Sequence, residues 1–240
     1  MPRFFIDENA LMGDIITVTG ADAVHMGRSL RMREGDRVTF CRMGTEYECV
    51  AESFTSDSVT CRIISESPSM AEPALKLTIY QALPKLDKAE HIIQKCTELG
   101  ASAIVFFESK RCVARMTNDF DKKLVRFERI ALEAAKQSGR GIIPSVTAIK
   151  RFEDAAQALS ENELSLICYE NGGEKLADIS LDGIRSVGVM IGSEGGFDRD
   201  EAEYAQNSGA HMIWLGRRIL RCETAPVAMT AILMNMSGDM

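Results

Sequence analysis

The chain has 240 residues, of which 45% are hydrophobic and 26% are charged, a composition typical of one large globular domain or two modest ones. Its formal net charge of -7 at pH 7 argues against a protein that grips nucleic acid by bulk positive charge, but it permits a local basic patch. The first residues do not resemble a signal peptide and no apolar run is long enough to span a bilayer, so we expect a soluble, cytoplasmic protein.

The cysteines and histidines do not indicate a metal site. The seven cysteines are scattered without a CxxC pair, and most lie in apolar runs, where a thiol packs as a small hydrophobic group. The three histidines are far apart in sequence and form no HExxH motif. We expect free thiols and no metal.

The first part of the chain alternates short apolar and polar runs. IITVTG, RVTFC, YECVAESF and SVTCRII predict strands of a small β-barrel or sandwich. Between the first two, residues 20–36 predict one short helix, with Asp22 as its N-cap and an exit turn at Gly35 and Asp36. Residues 65–74 are rich in proline and serine and predict a linker, so we expect a first domain at 1–70 and a second at 75–240.

The second part alternates strands and helices. LTIYQAL, AIVFF, ELSLICYE, SVGVMIG and HMIWL predict buried strands, and residues 87–100, 120–137, 198–209 and the C-terminus predict helices. Such alternation favours an α/β domain with a largely parallel sheet and helices on both faces. A ligand is expected at the carboxyl ends of the strands.

A glycine-rich loop follows the strand SVGVMIG. Gly192, Gly195 and Gly196 allow the backbone to approach a ligand, and Asp198 with Glu201 predicts a capped helix start. The same pattern also occurs in tight strand-to-helix turns without a ligand. It is neither a dinucleotide fingerprint nor a phosphate-binding loop, because the spacing is GxxGG and no Gly-Lys-Ser/Thr follows.

A second loop, in LGRRILRCETA, concentrates positive charge. Arg217, Arg218 and Arg221 follow the strand HMIWL, and Thr224 is a suitable N-cap for the apolar helix that ends the chain. The arginines are either surface charges paired with Glu223 or a site for an anion or an RNA phosphate. Both interpretations stay open on the residues alone.

Three further basic groups have an equally ordinary explanation. Lys85 and Lys88 follow a strand, Arg140 follows a helix that ends at Gly139, and all are typical of helix caps and solvated ends. Their placement together at loop positions also favours a polar site. The arginines in GRSLRMR are likewise typical of a solvated helix face.

Four motifs in order, ALPKLDKAEHIIQKCTELG, EAAKQSGR, IGSEGGFDRDE and LGRRILRCETA, closely resemble the RsmE family of SPOUT methyltransferases. MPRFF and VHMGRSLRMREGD resemble that family's PUA-like RNA-binding domain, so the resemblance covers nearly the whole chain. It implies methylation of a uracil at N3 in 16S ribosomal RNA of the small subunit, with S-adenosylmethionine as donor. It also implies a C-terminal trefoil knot and a homodimer with sites near the subunit interface, neither of which periodicity can predict.

The resemblance assigns expected roles to individual residues. We expect a cofactor site formed by Leu166, Cys168, Tyr169, Ile191, Gly192, Glu194, Gly195, Gly196, Leu215, Gly216, Ile219, Leu220, Thr224 and Ala225. We expect RNA phosphates to be held by Arg3, Arg28, Arg31 and Arg33. We expect Arg221 to stabilise the forming uracil anion with support from Lys85 and Arg140, and Glu223 or Glu194 to act as a base or to fix loop geometry.

Three positions depart from the family pattern. Ser193 replaces a proline, Cys222 replaces a threonine, and Leu86 replaces a glycine. The serine predicts a less rigid loop and therefore affects cofactor affinity more than function.

Three other functions compete with this one. A non-catalytic ribosome-assembly or RNA-binding factor would need no cofactor, and a SPOUT enzyme of the same class would act on another RNA site or on a ribose hydroxyl. A nucleotide-dependent oxidoreductase would need a GxGxxG loop after its first strand, which is absent after LTIYQAL.

Overall fold

The computed structural model describes the backbone of all 240 residues and every side chain except that of Leu86, so the departure at that position lies outside the described side chains. The chain forms two compact units. The first comprises Met1–Glu72 and Ala135–Ile142, and the second comprises Pro73–Ala134 and Ile143–Met240. The sequence predicted a division at 70–75, but it did not predict that residues 135–142 belong to the first unit.

The first unit is a six-stranded sheet with one short helix. Its elements are β1 (Arg3–Phe5), β2 (Leu11–Met12), β3 (Ile15–Thr19), α1 (Gly20–Val24), β4 (Arg37–Arg42), β5 (Thr45–Phe54) and β6 (Ser58–Pro68). The strand order is β1-β4-β5-β6-β3-β2, and every pair except β1 with β4 is antiparallel. Alternate residues, including Ile16, Val38 and Phe40, form its buried core. The four strands predicted between 15 and 64 are therefore present.

The helix predicted within residues 20–36 is shorter than expected. It begins after Thr19, so Asp22 lies in its first turn and is not the N-cap, and a wider π turn over His25–Ser29 ends it. Arg31 has a positive φ of 54°, a conformation that cannot continue a right-handed helix. The chain then turns into β4.

Two arginines hold distant parts of the first unit together. Arg140, which is 3% exposed, pairs with Glu72 at 2.8 Å. Arg3 pairs with Glu46 at 2.9 Å and donates a hydrogen bond to the backbone oxygen of Arg140 at 3.3 Å. Because a buried charge without a partner is costly, these contacts fix residues 135–142 to this unit.

The second unit is a parallel seven-stranded sheet covered by helices. Its elements are β7 (Lys76–Ala82), α2 (Leu86–Glu98), β8 (Ala103–Phe107), α3 (Phe120–Ser138, whose end belongs to the first unit), β9 (Ser145–Ile149), α4 (Phe152–Leu159), β10 (Leu164–Cys168), β11 (Glu174–Lys175), β12 (Ser186–Ile191), α5 (Arg199–Asn207), β13 (His211–Trp214) and α6 (Thr224–Ser237). The strand order is β11-β13-β10-β12-β7-β8-β9. The predicted α/β class is confirmed; β9 and α4 were not predicted.

Two helix ends can be compared directly with their predicted caps. Asp198 and Glu201 form a capping box at the start of α5, which confirms that prediction. The last helix, α6, begins at Thr224 itself with Glu223 as the preceding cap residue, and Pro226 lies in its first turn. Both helices therefore start directly after a loop that follows a strand of the sheet.

Two broader features concern the whole chain. No helix among the described residues is both long enough and apolar enough to cross a membrane. The trefoil knot concerns how the chain threads through its own loops, and it stays a prediction.

Candidate active site

A cavity of about 650 Å³ lies in the second unit, where β10, β12 and β13 end. The loops after these three strands line it, and its volume is within the range of ordinary small-molecule sites. All the residues predicted to hold a cofactor line this cavity except Leu166, which is buried in β10, and Thr224, which is exposed at the start of α6. The position agrees with the rule that parallel sheets bind ligands at strand carboxyl ends.

The glycines of the first loop meet a geometric requirement. A Cβ on Gly195 would lie 2.8 Å from Cβ of Arg111, and a Cβ on Gly192 would lie 3.0 Å from the backbone of Gly196. Gly196 also has a φ of +66°, which favours glycine. Its amide donates to the oxygen of Ser193 at 3.0 Å, so the loop is closed on itself.

Ser193 is the residue of the glycine-rich loop that replaces a proline and was predicted to make the loop less rigid. Its side chain is buried, and its Oγ has no hydrogen-bond partner among the described residues. A buried polar atom without a partner is unfavourable unless a ligand or water completes its hydrogen bonds. Because Ser193 lines the cavity, this atom favours a polar ligand there.

Lys88, a residue to which the sequence assigned no specific role in the site, contacts both loops. From the first turns of α2 its Nζ contacts Glu194 Oε1 at 3.2 Å and Glu223 Oε2 at 3.1 Å. Glu194 belongs to the glycine-rich loop and Glu223 to the arginine-rich loop. Lys88 is therefore one positive charge shared by two carboxylates on different sides of the cavity.

This pairing determines the charge states of all three groups. Partial burial lowers the pKa of Lys88, but hydrogen bonds from it to Glu223 and Glu194 and their negative charge outweigh that effect, so the pKa is raised. Burial raises the pKa of Glu194 and of Glu223, yet backbone hydrogen bonds and Lys88 outweigh it, so both pKa values are lowered. Both carboxylates stay ionised at neutral pH and are weak proton acceptors, which favours a role for Glu223 in loop geometry.

Cys222 lies against the same group of charges. Its thiol donates to Glu223 Oε2 at 3.3 Å, and Lys88 Nζ lies 3.7 Å from its sulfur. Burial, followed by the hydrogen bond to Glu223, raises the pKa of Cys222 to about 12. The side chain is therefore a neutral thiol at physiological pH and has no nucleophilic role.

We expect Cys222→Ser to keep the activity of the protein within about threefold of the unaltered chain, because a hydroxyl can replace the hydrogen bond to Glu223. The measurement is the turnover rate of both proteins, together with alkylation of the unaltered protein by iodoacetamide at pH 7.5. Alkylation at Cys222 should be slow. A large loss of activity with unchanged melting temperature would contradict a purely structural role.

The arginines of the second loop have no internal partners. Arg217, Arg218 and Arg221 are exposed and line the cavity. None of them forms an ion pair or a hydrogen bond with another residue that the structure describes, apart from the ordinary backbone bonds of the turn at Arg221. The predicted pairing with Glu223 is wrong, because none of the three arginines contacts that carboxylate, whose partners are Lys88 and Cys222. Three unpaired guanidinium groups at a cavity are suited to binding an anion.

The other predicted catalytic residues lie outside the lining. The Lys85 amide donates to Glu194 Oε1 at 3.3 Å and its side chain is exposed, so it stands beside the glycine-rich loop. Arg140 belongs to the first unit, where Glu72 engages its guanidinium. Arg140 is therefore engaged within the first unit, and it is not among the residues that line the cavity.

The four predicted RNA-binding arginines differ in exposure. Arg3 is engaged by Glu46 and is largely buried. Arg28, Arg31 and Arg33 are exposed, and their side chains form no ion pair with any residue that the structure describes. Of the four predicted residues, these three therefore present unpaired positive charge on the first unit.

The cavity residues that were not predicted include two at strand ends. Glu170 follows β10, and Trp214, the only tryptophan of the chain, ends β13. The rule that ligands bind at strand ends could have found both. Within the described part of the chain, no group of three or more histidine, cysteine, aspartate or glutamate side chains is arranged to hold a metal ion.

Comparison with known proteins agrees with this architecture. Residues 71–234 match the profile of the RNA methyltransferase domain, and residues 18–64 match that of the RNA methyltransferase PUA domain. The chain is 33% identical to ribosomal RNA small subunit methyltransferase E of Bacillus subtilis, over 97% of this chain and 96% of the relative.

Two solved structures are similar over nearly their whole length. The ribosomal RNA small subunit methyltransferase E of Neisseria gonorrhoeae, bound to S-adenosylmethionine, has a TM-score of 0.89 and 30% identity, with 98% of each chain covered. A methyltransferase of Legionella pneumophila, also with bound S-adenosylmethionine, has a TM-score of 0.86 and 26% identity, with 97% of this chain and 96% of that chain covered. The chain therefore belongs to the family of RNA methyltransferases that includes the ribosomal RNA small subunit methyltransferase E proteins.

Proposed function

We propose that this protein transfers a methyl group from S-adenosylmethionine to N3 of a uracil in 16S ribosomal RNA of the small subunit. The observation that carries the proposal is the cavity itself, which joins a glycine-rich loop to three unpaired arginines at the edge of a parallel sheet. Membership of the family supports the reaction class and the RNA substrate. We further propose that it acts in the cytoplasm.

The residues of the cavity fit the proposed donor. The volume of about 650 Å³ suits a molecule of that size, and the bare backbone of Gly192, Gly195 and Gly196 allows close approach. Leu215, Leu220 and Trp214 offer apolar surface for an adenine ring. S-Adenosylmethionine supplies an electrophilic methyl group on a sulfonium when bound.

The protein must also prepare the uracil. N3 carries a proton and takes part in Watson–Crick pairing, so the base must be unpaired and turned into the cavity. Loss of the N3 proton to water leaves negative charge on the base, which a guanidinium can stabilise by hydrogen bonds. The methylated base and S-adenosylhomocysteine are the two products. We assign the stabilising role to Arg221, with Lys85 as a second donor beside Glu194. The remaining arginines of the loop, Arg217 and Arg218, bind phosphate in this proposal.

A homodimer is part of the proposal. Ile219 in the arginine-rich loop is 84% exposed and Ile232 on α6 is 43% exposed, and Val227 on the same helix is half-buried. Exposed apolar side chains next to a ligand cavity are typical of a surface that another protein covers. A second copy of the chain would supply one, close to the proposed site.

The experiment that tests the function measures methyl transfer from labelled S-adenosylmethionine to small ribosomal subunits that lack their native methyl groups. Free 16S RNA and large subunits serve as comparison substrates. We expect label in the RNA of small subunits. Donor binding without label in any RNA would contradict the substrate, and absence of donor binding would favour the competing non-catalytic RNA-binding factor.

We expect Arg31→Ala to weaken RNA binding several-fold and to leave donor binding unchanged. Arg31 is an exposed, unpaired charge of the first unit, so its loss should remove about one phosphate contact and lower the salt dependence of log Kd by about one. The matched control is Arg62→Ala, because Glu52 and Asp14 already neutralise Arg62, which lies in the same unit on β6. Loss of both binding activities in Arg31→Ala would show that the residue is structural.

A further inference from the structure

Glu170 lies at the centre of the edge that forms the cavity. It follows β10, whose neighbours in the sheet are β12 and β13, so the glycine-rich loop and the arginine-rich loop stand on either side of it. The side chain is exposed, and it forms no hydrogen bond or ion pair with another residue in the part of the chain that the structure describes. Its full capacity to accept hydrogen bonds is therefore available to a ligand.

The other carboxylate of the lining is not available in this way. Glu194 is held by Lys88 and by the amide of Lys85. Glu223, behind the lining, is held by Lys88 and the thiol of Cys222. Glu170 is therefore the one carboxylate among the described residues of the lining that a bound molecule can engage without breaking an existing ion pair.

Glu170, a hydrogen-bond acceptor, is not paired with the arginines of the same cavity, which are hydrogen-bond donors. Arg217, Arg218 and Arg221 line the same cavity, yet none of them pairs with Glu170. Opposite charges that share a cavity without meeting provide separate polar contacts for a ligand that fills the space between them. Such a ligand needs hydrogen-bond donors at the Glu170 end.

The contact of Glu170 with the glycine-rich loop defines the position of the Glu170 end of the cavity. A Cβ on Gly196 would lie 2.6 Å from Oε1 of Glu170, so the carboxylate rests directly against the backbone of the loop. Any side chain at position 196 would displace it. A ligand that approaches the bare backbone of Gly196 therefore meets the carboxylate at the same point.

We propose that Glu170 accepts hydrogen bonds from the ribose hydroxyl groups of the methyl donor and so makes the cavity selective for a ribonucleoside. The inference rests on the proposed function, because it assumes that the cavity binds S-adenosylmethionine. A carboxylate has two oxygens and can accept a hydrogen bond from each of two neighbouring hydroxyls. Acidic side chains recognise ribose in this way in nucleotide sites of other α/β folds.

The test measures Kd by calorimetry for three ligands without RNA present. S-Adenosylhomocysteine carries both ribose and amino acid, 5′-methylthioadenosine carries the ribose without the amino acid, and 2′-deoxy-5′-methylthioadenosine lacks one hydroxyl. The proteins are the unaltered chain, Glu170→Ala, Glu170→Gln and the control Glu161→Gln, which changes an exposed glutamate outside the cavity lining.

We expect Glu170→Ala to raise the Kd for S-adenosylhomocysteine and the Kd for 5′-methylthioadenosine by the same factor, about 10- to 100-fold, because each ligand loses hydrogen bonds to a charged acceptor. Glu170→Gln should lose less, since an amide oxygen still accepts. The 2′-deoxy ligand should bind weakly to the unaltered protein, and the Glu170→Ala change should reduce its affinity less than that of the other two ligands. Glu161→Gln should match the unaltered protein.

Two results would overturn the inference while the proposed function stands. In one, Glu170→Ala has unchanged affinity for 5′-methylthioadenosine but binds S-adenosylhomocysteine more weakly, which would place the carboxylate at the amino group of the donor. The other is unchanged affinity for all three ligands. Failure of the unaltered protein to bind S-adenosylhomocysteine or S-adenosylmethionine would overturn the proposed function and this inference together.

Discussion

Lys88→Met is expected to lower kcat/KM for methyl transfer by about 100-fold, a loss of the size produced by misplacement of catalytic groups. Methionine retains the length of the side chain and removes the charge. Glu194 and Glu223, each within 3.2 Å of the lost nitrogen, would then face each other without a counter-charge. Their repulsion should separate the glycine-rich loop from the arginine-rich loop. Steady-state kinetics with saturating small subunits measures the effect.

The change should also alter stability in a pH-dependent way. The folded pKa values of Glu194 and Glu223 are lowered, so their pairing with Lys88 contributes stability above the ordinary pKa of glutamate and is lost as the pH falls through the lowered values. We expect Lys88→Met to melt about 2–4 °C lower than the unaltered protein at pH 7, with a smaller difference below pH ~4. Melting curves across this range separate loss of charge from loss of packing.

Two variants control this prediction. Lys88→Arg keeps a charge that can pair with both carboxylates and should recover a large part of the activity. Lys95→Met removes a lysine of the same helix that pairs with Glu98 at 2.8 Å and should have little effect. Full activity in Lys88→Met would show that the two loops do not depend on the shared charge.

Arg221→Gln is expected to lower kcat by about 100- to 1000-fold, the loss typical when one hydrogen-bond donor to a developing negative charge is removed. Arg221 is the guanidinium that we assign to the uracil anion, and no described residue neutralises it. Donor binding should change little. Trp214 lines the same cavity and is the only tryptophan, so its fluorescence reports donor affinity in each variant.

Comparison with other arginines separates catalysis from binding. Arg217→Gln should raise KM for the RNA and keep most of kcat, because we assign Arg217 to phosphate. Arg199→Gln, which changes an arginine paired with Glu203 on α5, should resemble the unaltered protein. If Arg221→Gln raised only KM, Arg221 would be a phosphate contact and not a stabiliser of the transition state.

Local signals were sufficient to predict much of the fold. The alternating runs predicted β3 to β6, and the Asp198–Glu201 pattern predicted the start of α5, because both depend on residues close together in sequence. The first-unit helix was predicted too long, because nothing in the local pattern reveals that Arg31 adopts a positive φ. The return of residues 135–142 depends on the pairing of Arg140 with Glu72, which are distant in the chain.

At the site, too, features set by neighbouring residues were predicted, and those set by distant residues were not. The glycine-rich loop and the arginine-rich loop were recognised because each is a continuous motif, and the order of strands brings them to one cavity. Lys88 was not recognised, because its role depends on two carboxylates that are more than a hundred residues away in the chain. A lysine at the start of a helix has an ordinary local explanation, and only the folded structure shows the charges that surround it.

The measurement that tests the central claim most directly is mass spectrometry of nucleosides from small-subunit RNA after single-turnover methylation. We expect 3-methyluridine as the labelled product, formed in stoichiometric amount by the unaltered protein and strongly reduced with Arg221→Gln. A labelled 2′-O-methyl nucleoside, or a methyl group on another base, would contradict the assignment of the cavity to uracil N3.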